Sequence, residues 1–287
     1  MKVLIIGGNR YFGLRLAKKI TEAGHQLTLL NRGNLKDDLG RGVERIVCDR
    51  SSEPDFRRAL TGREFDIVYD QICYNSKDAV VACEVFSDKI KRYIFTSTMS
   101  VYDGGRSIKE AEYDPFTYPV CIEAKPSDYQ LGKRQAESVF HQKATFPVLS
   151  VRFPVVLGPD DYTKRFIWHV EKIKKGEEIY FPDMNVSISL IHAQDAADFL
   201  YFNLEKNSVG PVNVASSEPV KLSTLMSLIE VACDKKLILA KTEIADNGSP
   251  VGPASDFWLN VEKMQSMGFQ TQPILDWVSE LLMPAFG

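Results

Sequence analysis

Short continuous apolar runs alternate, along the first half of the chain, with longer stretches whose apolar positions recur at helical spacing. Continuous runs of this kind read as strands buried on both faces: residues 2–6, 26–30, 43–48, 66–69, 92–96 and 147–152. Helical spacing covers residues 12–23, closed by Gly24, and then 55–60, 77–86 and 127–143. That order predicts an α/β fold built on a doubly wound parallel sheet. Residues 102–126, rich in Pro, Gly, Tyr and acids, interrupt the alternation and are expected to form a long loop over the C-terminal edge of the sheet, where ligands bind in such folds. After Arg152 the order becomes irregular. Helical patterns at 164–174, 193–204, 222–232 and 274–282 alternate with short strands such as 187–191. The expected organisation is a nucleotide-binding domain over residues 1–153 and a smaller C-terminal substrate lobe over 154–287, interleaved with returns to the main sheet.

The first strand runs directly into Gly7-Gly-Asn-Arg-Tyr-Phe-Gly13, and a helix follows at once. Such a turn is a phosphate cradle. Gly7 and Gly8 allow a tight turn and close approach of a pyrophosphate, Gly13 lets the helix pack on the strand, and the helix N-terminus supplies unpaired N–H donors and partial positive charge. The middle glycine of the usual fingerprint is missing, with Arg10 in that region. A strand, a glycine turn and a helix at the head of alternating elements predict a Rossmann sheet that binds a dinucleotide.

Composition narrows the function classes. A formal charge of −3 lacks the basic excess of non-specific nucleic-acid binders, so no nucleic-acid partner is expected. Cys48, Cys73, Cys83, Cys121 and Cys233 form an odd set without close pairs, which suits reduced core thiols of a cytoplasmic protein. The opening apolar run is too short for a signal peptide, and nothing approaches a membrane span. His25, His141, His169 and His192 are scattered, so no metal site is expected. Asp195 reads as a helix N-cap.

Tyr129 and Lys133 stand four residues apart in a helical segment, hence on one face. A neighbouring cation favours phenolate and suits a tyrosine to proton exchange. Upstream, the strand at 92–96 runs into Ser97, Thr98 and, further on, Val101-Tyr102. A hydroxyl at that strand end can bond both the phenol and a substrate oxygen. With these residues in place, the chain resembles the extended and atypical branch of the short-chain dehydrogenase/reductase superfamily, specifically the NAD-dependent epimerase/dehydratase family. The resemblance rests on residues 7–13, Asp49, 96–102, 129–133, Val151-Arg152-Phe153 to Gly158-Pro159, 190–196 and 212–215. It implies Tyr129 as general acid/base, Lys133 as its activator and ribose anchor, and Thr98 as the hydroxyl partner. The implied cofactor contacts are Gly7, Asn9, Arg10, Tyr11, Phe12, Gly13, Asn31, Arg32, Asp49, Arg50, Thr96, Lys133 and Phe153, with Asp49 accepting a hydrogen bond from the adenine amino group.

Two departures from that pattern refine the expectation. Asn31-Arg32 ends the second strand where NAD-dependent members carry an acid. Asparagine does not repel a 2′-phosphate and Arg32, with Arg10, can clamp one, so NADP is expected, with NAD as the alternative. The asparagine and arginine with which related sugar-nucleotide epimerases hold a diphosphate are also missing; Phe153-Pro154-Val155 and Ser187-Ile188-Ser189 stand there. The expected activity is hydride transfer on a carbinol or carbonyl of a small-molecule substrate, a sugar or sugar nucleotide included, by an oxidoreductase or an epimerase/dehydratase-like isomerase. The alternative is a nicotinamide-sensing or RNA-binding regulator. A homodimer through the helix at 78–86 and the one carrying Tyr129 is the expected assembly.

Overall fold

The protein is represented by a computed structural model in which residues 1–122 and 126–282 are described. They form two compact units. The first comprises Met1–Tyr102, Glu110–Phe153 and Ala196–Asn213; the second comprises Asp103–Lys109, Pro154–Asp195 and the described residues from Val214 onward.

In the first unit the chain order is β1 (Lys2–Ile6), α1 (Tyr11–Glu22), β2 (Gln26–Asn31), β3 (Glu44–Val47), α2 (Glu53–Leu60), β4 (Phe65–Asp70), α3 (Ser76–Phe86), β5 (Ile90–Thr98) and α4 (Tyr129–Lys143), followed by strands Val148–Phe153 and Gly210–Asn213. One sheet of seven strands results, ordered Gly210–Asn213, Val148–Phe153, β5, β4, β1, β2, β3, and every pairing is parallel. The reversal of direction from β1 places the crevice of the fold beside its C-terminal end. Val3, Leu4, Ile5 and Ile6 are all fully buried, as a strand with both faces covered requires. Leu4 and Ile6 join α2, α3 and α4 residues in one core cluster, while the alternate positions point to the opposite face. Within that cluster Phe140 of α4 lies 4.7 Å from the Tyr93 ring and 5.0 Å from Phe95, so helix and sheet are locked by aromatic packing.

Asp128 caps α4, its Oδ1 accepting from Leu131 N at 2.7 Å. The outward side of this helix is not open. Residues 113–122 cross it: Gln135 accepts from Cys121 N at 2.7 Å and donates to Pro119 O at 3.0 Å, Gln142 donates to Pro115 O and Tyr118 O, and Val120 packs on the core. From Gly132 to Phe140 only Arg134 is more than marginally exposed. The outward side of α4 is therefore covered by the chain's own strap.

This strap also corrects the expectation for residues 102–126. Instead of lying as one loop over the sheet edge, Gly105–Ile108 forms a strand of the second unit's sheet and 113–122 packs along α4; residues 123–125 lie outside the described residues. In the second unit the four-stranded sheet runs Val220–Lys221, Ser187–Ile188, Phe257–Leu259, Gly105–Ile108, over a core that includes Phe166, Val170, Leu225, Ile229 and Trp277. The run at 187–191 is two strands rather than one. Ser189 breaks it: its N donates to Phe257 O and its Oγ accepts from Leu259 N, so Leu190–His192 leaves to pair with Val155–Leu157. The helix Ala193–Phe202 starts at the expected residue, which places Asp195 in its first turn and not at the N-cap.

Candidate active site

The glycine turn has the backbone its composition demands. Gly7 and Gly8 take φ of +91° and +79°, open only to glycine at low cost, and a Cβ on Gly13 would stand 2.6 Å from Gly8 Cα and collide with the Gln71 amide. Where the usual middle glycine is lacking, the left-handed conformation falls on Tyr11, with φ of +59°, and Arg10 is the N-cap of α1. A non-glycine residue there costs on the order of 1–3 kcal/mol, strain of the kind that collects at functional turns. Asn9 ties the turn down, its Nδ2 donating to Leu35 O.

From this turn Phe12 reaches the Phe153 ring, 5.9 Å between centroids, at the C-terminal end of strand Val148–Phe153. Phe153 is in register with Thr98, and Val151 with Thr96. Lys133 completes the group: buried in α4, its Nζ donates to Thr96 O at 2.8 Å and lies 4.8 Å from the Tyr74 ring and 4.7 Å from Phe95. Burial pushes this amine down to about 8, against the pull of Cys73, Asp70 and Glu137. Tyr129, on the same face at the start of α4, is half exposed, and its ring is 6.2 Å from that of Tyr74. Thr98 Oγ1 accepts from Ser100 N at 3.1 Å, which leaves its proton directed elsewhere. Thr96, Thr98, Lys133, Phe153, Phe12 and the glycine turn are thus gathered at the C-terminal strand ends.

A second buried network fixes those ends. Arg152, fully buried, donates from Nε and Nη2 to Glu137 Oε1 at 3.0 and 2.6 Å, from Nη1 to Tyr102 OH at 2.6 Å and Glu110 O at 2.9 Å, and from Nη2 to Tyr113 O at 3.0 Å. Its guanidinium lies 5.0 Å from both the Tyr102 and Tyr113 rings. Ser97 Oγ donates to Glu137 Oε2 at 2.5 Å and Tyr102 OH to Asn213 Oδ1 at 2.7 Å, so four elements share one cation. The Glu137 carboxylate, with the Tyr102 phenol, holds the arginine above its ordinary range despite burial.

At the far edge of the sheet, Arg32 and Asp49 line an open groove between β3 and α2, and Asn31 ends β2 just before Arg32. Asn31 Oδ1 accepts from Gly33 N, and Asp49 Oδ1 from both Ser51 N and Ser51 Oγ. Those two bonds hold the Asp49 carboxyl below the usual range, with Arg32 adding to the effect. Three other arginines line the groove and each has an acid: Arg45 with Asp37, Arg58 with Asp55, Arg63 with Glu44. Arg32 is exposed and makes no ion pair among the described residues. Among the described residues no cluster has the makings of a metal site, and no helix is long and apolar enough to cross a membrane.

A family model for the NAD dependent epimerase/dehydratase family matches residues 3–215, which takes in the turn, both hydroxyl-bearing strand ends and the Tyr129 helix. The chain belongs to that family. It is 26% identical over 210 residues to the chloroplast stem-loop binding protein of 41 kDa b from Arabidopsis thaliana, a match covering 68% of this chain; the chain spans about half of that relative, 53% of its length. Its fold matches UDP-glucose 4-epimerase of Thermotoga maritima, solved with UDP-glucose, at TM-score 0.77 and 17% identity over 100% of this chain and 98% of the other. UDP-glucuronic acid 4-epimerase of Bacillus cereus, solved with NAD, matches at TM-score 0.76 and 16% identity over the whole of both chains.

One expected cofactor contact takes a different role. The Arg50 side chain turns inward: Nε and Nη2 donate to Asp70 Oδ2 at 3.2 and 2.6 Å and Nη1 to Asp78 O, and Tyr93 OH donates to the same Asp70 oxygen at 2.5 Å. The guanidinium is spent on keeping a buried carboxylate paired beneath the strand ends. Residues to which the sequence assigned no site role also matter here. Glu137 and Arg152 read as ordinary members of a helix and a strand; a charged residue at an inward-facing position of each was the available signal. Tyr74 follows β4 without any motif around it.

Proposed function

We propose that the chain is an NADP-preferring enzyme of its family that moves hydride between nicotinamide and a carbinol or carbonyl substrate, Tyr129 handling the proton. The observation that carries this reading is Lys133: a buried ammonium, bonded to Thr96 O one helical turn from Tyr129, beside a strand end that presents Thr98. The residues suit a dinucleotide. Gly13 leaves a cradle that a Cβ would fill, the Gln71 Nε2 beside that cradle is buried without a hydrogen-bond partner among the described residues, and Arg32, which makes no ion pair among them, stands where a 2′-phosphate would lie. When bound, the nicotinamide supplies the hydride chemistry. Lys133 would hold a ribose hydroxyl and favour phenolate at Tyr129, Thr98 would donate to the substrate oxygen, and Tyr129 would exchange the proton of that oxygen.

The relative's name speaks of stem-loop binding, and that is the competing reading for this chain. The net charge of −3 supplies no cationic excess for contact with phosphate backbones, whereas a pure binder has no use for a buried lysine next to a tyrosine and a threonine. No disulfide joins the five cysteines, which suits a cytoplasmic setting. The test is NADPH oxidation across a panel of small carbonyl compounds and sugars. Tyr129→Phe should keep NADPH affinity and lose about 10²–10⁴-fold in turnover; Lys133→Ala should lose both. Full turnover in Tyr129→Phe refutes the assignment.

A further inference from the structure

We propose that Tyr74 is a positioning residue for Lys133: its ring, packed against both the ammonium and the Tyr129 ring, keeps water from the amine and holds the two side chains in register. The inference rests on the functional reading only for its consequence, not for its geometry. Tyr74 stands in the segment that leaves β4, where Cys73 is fully buried and Tyr74 is half exposed, so its ring forms the outer wall over the inner amine. Two rings bracket Nζ, Phe95 from the sheet at 4.7 Å and Tyr74 from the loop at 4.8 Å, while the Tyr74 ring is 6.2 Å from Tyr129. An ammonium facing an aromatic face is stabilised there, but a ring also displaces the waters that would solvate it.

The helix is built to admit this ring. Gly132 precedes the lysine, and a Cβ at that position would overlap the Tyr74 carbonyl oxygen and stand 2.7 Å from Pro126 Cγ. Only glycine lets α4 approach the Tyr74 backbone so closely. The charged groups around Nζ are Asp70 at the end of β4, Glu137 one turn along α4, Arg50 after β3, and the ionisable Cys73. Arg50 and Asp70 neutralise each other at 2.6 Å, and Glu137 is engaged by Arg152. The largest influence on the amine is then its burial, and Tyr74 is the part of that burial supplied from the solvent side.

The test is an NMR titration of full-length protein carrying ε-labelled lysine, with the Lys133 signal assigned by its loss in Lys133→Arg. Wild type and Tyr74→Phe, which keeps the ring, should titrate together near the value of about 8 that burial gives this amine. Tyr74→Ala should move it up by about one unit or more, towards an exposed lysine. Gly132→Ala, which displaces the same backbone, should move it in the same direction. Amide exchange protection of β4 and α4 shows that each variant is folded. An unmoved titration in Tyr74→Ala, or equal movement in Tyr74→Phe, overturns the inference. NADPH titration of the same samples separates the two claims: a moved amine in a protein that never binds NADPH leaves the positioning role standing and removes the enzymatic reading.

Discussion

Glu137→Ala is the sharpest probe of how the strand ends are held. The substitution deletes both acceptor contacts of Arg152 to the carboxylate, at 3.0 and 2.6 Å, and the acceptor of Ser97 at 2.5 Å, and it leaves the guanidinium fully buried with only Tyr102, Glu110 and Tyr113 as polar partners. Removing one member of such a pair costs about 3–5 kcal/mol, because the other charge stays desolvated and uncompensated. Against a typical domain stability of about 5–15 kcal/mol that is roughly a fifth or more of the total. Glu137→Gln keeps the volume and one acceptor and should lose less, about 1.5–3 kcal/mol, the range of a charged hydrogen bond. Combining Glu137→Met with Arg152→Met should cost well under the sum of the two single changes, since no charge is then stranded.

The assay must read the correct unit. Trp168, Trp258 and Trp277 all belong to the second unit, so tryptophan fluorescence would miss the event. Urea unfolding followed by far-UV circular dichroism, with amide exchange over β5 and strand Val148–Phe153, reports on the first. A loss below about 1 kcal/mol in Glu137→Ala, or strict additivity in the double variant, would refute the argument that the buried cation depends on this carboxylate.

Three further outcomes follow from the geometry. NADP should bind more tightly than NAD in calorimetric titration, and Arg32→Ala should cost about 1.5–3 kcal/mol for NADP and little for NAD; equal affinities in the wild type refute the 2′-phosphate role. Common UDP-sugars should stabilise the cofactor complex weakly in thermal shift, because Ile188 is buried in a sheet, Ser187 N is bonded to Asp256 and Ser189 to Leu259, leaving no cation at those positions; a shift matching about 2.7 kcal/mol at hundredfold excess refutes it. His169 is fully buried between Arg165 O and Ser249 Oγ, and burial takes it down to about 4, so the unfolded chain takes up a proton first as pH falls below about 6.5. Stability of the second unit is complete above that value and should fall by about 2 kcal/mol between pH 6.5 and 5; tryptophan-detected urea midpoints check this, and His169→Gln losing as much over the same window refutes it.

Much of the fold was legible because strands buried on both faces announce themselves as unbroken apolar runs, and residues 2–6, 26–30 and 92–96 did so. What failed was decided by partners distant in sequence. Residues 187–191 read as a single short strand, yet Ser189 bonds to Phe257 and Leu259, about seventy positions on, and the strand divides. The segment after Tyr102 carries loop composition, but its polar backbone is claimed by Gln135 and Gln142 of a helix not yet begun. In the site, Gly7, Gly8, Gly13 and the Tyr129–Lys133 spacing were visible because local geometry dictates them. Arg50 was expected as a cofactor contact from the resemblance, and nothing adjacent to it in the sequence reveals that its guanidinium pairs with Asp70 inside.

A common logic joins three of the buried cations, Lys133, Arg50 and Arg152. Each lies near the C-terminal ends of parallel strands and donates to main-chain carbonyl groups there. Lys133 takes Thr96 O, Arg50 takes Asp78 O, and Arg152 takes Glu110 O and Tyr113 O. Two of these cations are neutralised outright, by Asp70 and Glu137, and their hydrogen bonds continue through Tyr93, Ser97 and Tyr102. Among the described residues Lys133 has no carboxylate partner in an ion pair, and it is the one whose ammonium is pushed towards neutrality. Rigid, fully paired cations therefore frame a single titratable one. That is the arrangement a proton-transfer site needs: a framework that does not reorganise around the group whose charge must respond.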